Sequence, residues 1–451
     1  MYLSERVPLP WRVLMTWERL CLGRTAWSDG TPAVTVRDGV EKARLLALGD
    51  LALIPAHASN GLGNLDGLSG ILSDADIRIG NLEAVVSSRL EAAVELAIPM
   101  RAEPGVSDML RVAGFDVVNS ANNHALDYGS QGLADCVGLL RARGIDVCGV
   151  EMDDGRQPCV IRIVNSIRVG FLGFCDDINT ATATGAPRPC LWSPERAAAA
   201  VAAARREVDI VIVQMHWGYE FSLHPLLRHR DQARHAVDRG AHAVICHHAH
   251  VPQGFEVWKG CPIVYGLGNA FMPMFSYMLD GHPWADRSYA LELGIGGDGV
   301  VSMRLHPLRL QPDGSPVLLE GRDKTALLAG LARMSARLGD DDFLERCERA
   351  RLVFEAVRLV SVLQEAAAQG GETLEERVAL LELPRQQSLI GFLGQQSRTT
   401  RLAGALRSIV AARRAGNLPA IVADLAPGFT SALEDLRDLY RWSDALRARV
   451  P

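Results

Sequence analysis

Three imidazoles stand within four positions in Cys246-His247-His248-Ala249-His250, directly after the apolar run Ala241-His242-Ala243-Val244-Ile245 and before Val251-Pro252. Neutral imidazole is a common metal ligand, and a packed core has little use for so many polar rings in one turn. The cluster points to a metal site. Its plainer alternative is a histidine-rich surface turn, and the rest of the chain argues against that. Polar residues follow other apolar runs in the same way: Gly49-Asp50, Asn81-Leu82-Glu83, Asn122-Asn123-His124 with Asp127, His216-Trp217-Gly218-Tyr219-Glu220, and Gly268-Asn269. Carboxylate, amide and imidazole donors together suit a hard or borderline divalent ion better than thiolates would.

Each of these residues also has a bland reading. Asp50 can be a cap or turn residue, Glu83 an exposed charge, and Asn123 a turn residue tolerant of left-handed backbone. Asp127 can cap the helix that follows, and His216 can be a satisfied core histidine. His247 reads as support for the site rather than a ligand, and Cys246 as a small buried residue. His57, His224, His229, His235, His242, His282 and His306 read as structural or solvated.

Residues so far apart in sequence need a scaffold that brings strand ends together. Short apolar runs supply the strands: residues 45–48, 77–79, 117–118, 169–172, 210–213, 243–245 and 263–265. Between them, residues 129–143, 194–207 and 225–239 carry helical periodicity. Buried strands alternating with helices predict an α/β layered domain, in which sites gather at the C-terminal strand ends. Residues 288–310 alternate like a closing hairpin turning at Gly297-Asp298-Gly299. Beyond about residue 320 the chain is rich in Ala, Leu, Arg and Glu, with helical patterns at 324–338, 342–368, 373–383, 398–415 and 431–450. The expected division is a lead-in segment (1–40), a metal-binding catalytic domain (41–318) and an α-helical C-terminal region (319–451).

With 451 residues, 48% of them hydrophobic, the chain can bury a large core. A net charge of -6 gives no field that would attract nucleic acid. The nine cysteines are scattered without a CxxC pair, which fits reduced thiols. Neither a signal-peptide pattern nor an apolar run of membrane-spanning length is present. The expected address is cytoplasmic, without membrane or nucleic-acid partners and open to homo-oligomerisation.

In order, the motifs GD, NLE, ANNHxxDYGxxGL, HWGxE, HHxH and GLGN over residues 43–275 resemble the CapA family of poly-gamma-glutamate capsule synthesis proteins, with a calcineurin-like metallophosphatase fold. The resemblance implies a four-layer αββα architecture and a divalent metal centre. Asp50, Glu83, Asn123, His216, His248 and His250 match its ligand positions. His124 matches its acid/base histidine, with Asp127 placed to orient the ring. The superfamily's first motif is D-x-H, but Asp50 is followed by Leu51-Ala52, so one divalent ion (Ca, Mn or Zn) is expected, with a second left open. If that ion is held by Glu83, Asn123, His216 and His248, the pairs Asp50/His250 and Asp127/His124 flank it. That is the logic of a two-base epimerase. The anchor-free form with a helical extension is similar to lasso-peptide epimerases, which implies a precursor-peptide substrate inverted at one Cα, at its C-terminal residue. The alternatives are a metallophosphoesterase or other hydrolase, and a capsule biosynthesis protein.

Overall fold

The computed structural model describes residues 33–54, 64–93, 99–152, 158–176, 187–273, 284–345 and 347–348. The elements named below belong to one compact unit, Leu22–Val94 with Pro99–Leu344. The lead-in before residue 33 and the helices expected over 349–451 lie outside the described residues.

A nine-stranded sheet is built from β1 (Ala33–Thr35), β2 (Ala43–Leu51), β3 (Ile77–Leu82), β4 (Val117–Asn119) and β5 (Asp146–Cys148) together with four later strands. The second sheet, of six strands, comprises β6 (Val160–Val164), β7 (Ile167–Cys175), β8 (Ile210–His216), β9 (Ala243–His247), β10 (Phe255–Trp258) and β11 (Cys261–Val264). The chain then returns to the first sheet with β12 (Asn269–Phe271), β13 (Arg287–Ile295), β14 (Val300–Leu310) and β15 (Pro316–Leu318). In the first sheet the order is β1-β14-β13-β2-β3-β4-β5, with β12 beside β2 and β15 beside β14; in the second it is β10-β11-β9-β8-β7-β6.

The site-bearing strands are parallel neighbours: β2 with β3, β3 with β4, β7 with β8, and β8 with β9. Parallel strands in register bring their C-terminal ends to one edge, which is why polar residues distant in sequence meet. All of β8 and β9 is buried, and β2 is buried except Arg44. Strands covered on both faces read as continuous apolar runs, as these do. The sheets touch each other through β7 against β4 and β5, and through β11 against β14.

Helices cover them. Helix α1 (Gly129–Arg141) packs on β5, α2 (Pro194–Ala204) on β7, and α3 (Leu227–Asp238) on β9 and β11. The start of α2 is legible locally: Ser193 Oγ accepts from the Arg196 amide at 3.2 Å, and Pro194 occupies the first turn, where no amide donor is needed. Helix α4 (Gly321–Ala336) packs on β10 and β14, so the compact unit continues past residue 318. The expected hairpin is β13 and β14, closed by the Gly296 amide donating to the Gly299 carbonyl at 2.8 Å. Among the described residues no helix is long and apolar enough to cross a membrane.

Candidate metal centre

Asp50 is placed by a bulge. The β2/β3 register shifts between Ala47 and Asp50, and the Asp50 amide donates to the Gly268 carbonyl at 3.1 Å. A Cβ on Gly49 would sit 1.8 Å from that carbonyl oxygen, so glycine is the residue that permits the approach. The Asp50 carboxylate is fully buried and accepts from Asn81 Nδ2 at 2.8 Å and from the His248 amide at 3.2 Å. His250 Nδ1 lies 3.4 Å and His247 Nδ1 3.5 Å from it.

Glu83 is different. Its amide donates to the Leu51 carbonyl at 3.0 Å, extending the β2/β3 ladder, and its side chain is buried, yet neither carboxylate oxygen accepts a hydrogen bond. Its Oε1 faces two imidazole nitrogens, His216 Nε2 and His250 Nε2, each at 3.6 Å. His216 Nε2 is also 2.8 Å from Asn123 Oδ1, and the His216 and His248 rings lie 4.6 Å apart. Ligands bound at about 2.1 Å from one ion stand roughly 3.0–3.4 Å apart. The donor atoms of Glu83, His216 and His248 all fall within 4.8 Å of one another, as do those of Asp50, Glu83 and His250. A buried carboxylate without hydrogen bonds, beside convergent imidazoles and an amide oxygen, fits a divalent cation in the expected ligand set.

Buried amides orient these donors. Asn119 Nδ2 donates to the Asn81 Oδ1 at 3.0 Å and to the Ala121 carbonyl at 3.0 Å, while its Oδ1 accepts from the Ala121 amide at 3.2 Å. That fixes which way Asn81 turns its NH2 group, toward Asp50 and 3.1 Å from His216 Nδ1. Room for Asn119 comes from Gly149 and Gly173, where an added Cβ would lie 2.5 and 2.0 Å from its Oδ1. On the other side Asn269 donates Nδ2 to the His250 carbonyl at 3.4 Å and accepts from His250 Nδ1 at 2.8 Å. With Nδ1 facing Asn269 Oδ1, Nε2 is turned toward Glu83.

The loops after β8 and β9 are strained and tied together. His248, His250 and Phe221 all have positive φ, at 87°, 54° and 57°. Side chains other than glycine adopt such backbone at a cost of order 1–3 kcal/mol, typically at functional sites. The Phe221 amide donates to the Ala249 carbonyl at 2.6 Å, and Gln253 Nε2 donates to the Ser222 carbonyl at 2.7 Å. This stitching brings Glu220 to the histidine turn, with its donor atom within 4.8 Å of those of His248 and His250.

His124 and Asp127 form the expected pair: His124 Nδ1 lies 2.6 Å from Asp127 Oδ2. Asp127 is buried and also accepts from the Met100 amide at 2.8 Å, while Tyr128, the residue before α1, makes no side-chain cap. Asp127 thus faces the imidazole from a buried position fixed by a backbone donor. Asn122 Oδ1 accepts the His124 amide at 3.1 Å, and its Nδ2 donates to the Leu82 carbonyl at 2.8 Å, which ties this loop to the NLE strand end.

Electrostatics follow from burial and crowding. Burial opposes ionisation of Asp50, but its contacts with His250, His247 and His216 hold it at about 2. Burial pushes Glu83 well up, with Asp50 and Glu220 adding to the effect against the pull of His250. Burial works against a charged His250, but Glu83, Asp50 and Glu220 outweigh it and raise its proton affinity. Burial drives His216 far down and His247 to about 4, which keeps both neutral. Neutral imidazole is the form that binds metal.

The structure thus gathers Asp50, Glu83, Asn123, His216, His248 and His250, with the His124/Asp127 pair beside them. Asn81, Glu220 and Asn269 stand inside the motifs but received no role from the sequence, and Asn119 carries no motif signal at all. His242 and His229 have structural partners: His242 Nδ1 accepts from the Val211 amide at 2.9 Å, and His229 stacks on Trp217 at 4.8 Å. Cys246 is buried, as expected.

The family described as "Bacterial capsule synthesis protein PGA_cap" matches residues 45–274. Among curated proteins, "PGA biosynthesis protein CapA" of Bacillus subtilis is 36% identical over 165 residues, covering 36% of this chain and 43% of that one. "Capsule biosynthesis protein CapA" of Bacillus anthracis is 30% identical over 260 residues, 55% of this chain and 61% of that one. A "Probable polyglutamine synthesis accessory protein" of Mycobacterium tuberculosis is 29% identical over 208 residues, 43% of this chain and 55% of that one. The chain spans about half the length of the curated relatives it matches.

Proposed function

The chain belongs to the bacterial capsule synthesis protein PGA_cap family, and from that premise we propose that it is a divalent-cation-dependent enzyme that moves a proton at a glutamate polymer or peptide during capsule biosynthesis. The observation that carries the proposal is the 2.6 Å His124–Asp127 pair, next in sequence to Asn123 and close enough to Glu83 to influence its ionisation. Asp127 holds the Nδ1 proton of His124, which makes Nε2 the base that accepts or returns a substrate proton. Glu83, Asn123, His216 and His248 would hold the cation. When bound, it polarises a substrate carbonyl or carboxylate and balances the buried negative charge. The His124 side chain is 15% exposed, so the ring can be reached from solvent.

A second reading is Cα epimerisation of a precursor peptide, as in lasso-peptide maturation. It is favoured by one observation, the second imidazole–carboxylate contact of His250 and Asp50 at 3.4 Å. Two such pairs could take a proton from one face of a carbon and return it on the other. Two facing sheets with helices packed on each support the calcineurin-like αββα arrangement, and the eight described cysteines, all free thiols, support a reducing, cytoplasmic address.

The test uses purified protein, Mn2+ and poly-γ-glutamate in D2O, following chain length and deuterium at Cα. Shortened chains mean hydrolysis, and deuterium in intact chains means epimerisation. Either change should fall at least about a hundredfold in His124→Ala. Neither change in wild-type protein loaded with Mn2+ would overturn an enzymatic role on this polymer and favour an accessory one.

A further inference from the structure

Beyond β5, residues Val150–Glu151 pair antiparallel with Arg188–Pro189, and none of the four belongs to a motif. Glu151 is 1% exposed, and two guanidinium groups close on its carboxylate. Arg188 Nε donates to Oε2 at 2.6 Å, and Arg196 Nη2 contacts Oε1. The two arginine side chains are 43% and 44% exposed, so each turns one side to Glu151 and the other to solvent. One guanidinium is enough to neutralise a buried carboxylate. The second leaves a net positive charge on the surface of a chain whose overall charge is -6.

The arginines stand at the same end of the sheets as His124 and the ligands. Strand β5 is the parallel neighbour of β4, whose end leads into Asn123 and His124, and the Ser120 amide donates to the Cys148 carbonyl at 3.1 Å. After Arg188, the Cys190 amide donates to the Gly149 carbonyl at 2.9 Å and the Trp192 amide to the Cys175 carbonyl at 2.8 Å. The Asp176 amide in turn donates to the His216 carbonyl at 3.3 Å. Residues 190–192 thereby join the ends of β5 and β7, each one strand away from a strand that leads into the site. With neighbouring strands about 4.8 Å apart, the arginines lie on the order of 10 Å from His124. An extended peptide covers that span in about three residues, and a γ-linked glutamyl chain, which has more backbone atoms per residue, in fewer.

We propose that Arg188 and Arg196, forked by Glu151, bind free carboxylates of a glutamate polymer whose neighbouring residue occupies the metal centre. This rests on reading such a polymer as the substrate. Guanidinium groups take carboxylates through paired N–H donors, and a buried acceptor that fixes one edge of each leaves the outer edges preorganised. Met152, directly after Glu151, and Leu191, directly before Trp192, are each 38% exposed and offer apolar surface beside the pair. A γ-glutamyl chain alternates the same two chemistries, a carboxylate and then methylene groups.

The test is binding of a labelled γ-glutamate oligomer to full-length, Mn2+-loaded protein, followed by fluorescence anisotropy. Wild type should bind the acidic oligomer and not its side-chain amide form; equal affinity for both would overturn the proposal. Arg188→Gln and Arg196→Gln should each bind at least roughly tenfold more weakly, with Mn2+ uptake unchanged. Each keeps one guanidinium on Glu151, so the melting temperature should stay near that of wild type. Should Arg196→Gln fail to fold, Glu151→Gln combined with Arg196→Gln leaves no buried charge unpaired and should show the same loss. If wild type binds the oligomer and the arginine variants bind it equally well, the subsite fails while the substrate reading stands. Displacement of the oligomer by equimolar inorganic phosphate would make this a phosphate site and also overturn it. No binding by wild type overturns the polymer reading together with it.

Discussion

His124 Nδ1 and the Met100 amide converge on a single oxygen, Asp127 Oδ2, at 2.6 and 2.8 Å. A carboxylate held by a backbone donor cannot swing away from the ring it orients, so the proton stays on Nδ1. Asp127→Asn keeps the shape but presents a competing donor to the imidazole. We expect turnover to fall about 10²–10⁴-fold, with Mn2+ content unchanged. Full turnover in this variant, or loss of metal with it, would refute the orienting role.

His248 sits at φ 87° while its amide donates to Asp50. Glycine relieves that backbone without disturbing the amide. In chelator, relief of that strain in His248→Gly should offset up to about 1 kcal/mol of what losing the buried ring costs. His248→Ala, which keeps a Cβ in the same backbone, should be less stable than the glycine variant. Both should lose most of the rise in melting temperature that Mn2+ gives wild type. A glycine variant that retains the full rise would remove His248 from the ligand set.

Much of this centre is legible in the sequence because ligands at strand ends follow apolar runs. Asp50, Glu83, His216 and the 246–250 turn are each preceded by strands buried on both faces, and such strands announce themselves. Asn119 ends a strand in the same way, yet nothing distinguishes it from an ordinary turn amide. Its role depends on Gly149 and Gly173, two positions far apart in sequence that meet only once two different sheets are stacked. Glu220 was hidden for a related reason. Its distance to His248 and His250 is set by the Phe221–Ala249 contact between two loops, which no periodicity encodes. The hairpin of β13 and β14 and the helices α1 to α3 are readable from turn glycines and apolar spacing, and their ends differ from the expected ones by no more than three residues, as fraying ends generally do.

Gly173 is not itself a candidate ligand, yet it controls one of the ligands' supports. A methyl group there would meet Asn119 Oδ1 at 2.0 Å and push the amide that fixes Asn81, the donor to Asp50. Gly173→Ala should lower stability by about 1–3 kcal/mol and weaken Mn2+ binding as well. The control is a core change on the far side of β7, such as Val201→Ala in helix α2, which should cost similar stability and leave metal affinity alone. Equal metal affinity in Gly173→Ala would show that the amide chain does not act on the ligands.

Acid stability should reflect His242. Burial, with Arg205 nearby, pushes it down from an ordinary value of 6.5 to about 4, and its Nδ1 accepts the Val211 amide. Above 6.5 the ring is neutral folded or unfolded and does not contribute to pH dependence. Below 6.5 the unfolded chain takes up a proton that the folded chain refuses, so stability falls as pH drops toward 4. The fall from this group is on the order of a few kcal/mol. His242→Asn, whose Oδ1 can still accept the Val211 amide, should flatten urea-unfolding stability between pH 6.5 and 4. An unchanged slope would move the effect to other histidines, His224 first, since burial and Arg337 bring it to about 3.

Glu83 gives the sharpest test of the centre because the sign of its effect should reverse with metal. In the metal-free protein its carboxylate is buried with no hydrogen bond to either oxygen, an arrangement that opposes folding. An amide of the same shape removes a group whose ionisation burial opposes, so Glu83→Gln should match or exceed wild type in chelator. With Mn2+ present the order inverts: an ion at a hundred times its dissociation constant adds about 2.7 kcal/mol to wild type, and the variant, missing the one carboxylate common to both sets of donors, gains little. Thermal unfolding of the two proteins with chelator and with Mn2+ gives four melting temperatures. If Glu83→Gln is destabilised equally in both conditions, Glu83 serves packing and the metal lies elsewhere.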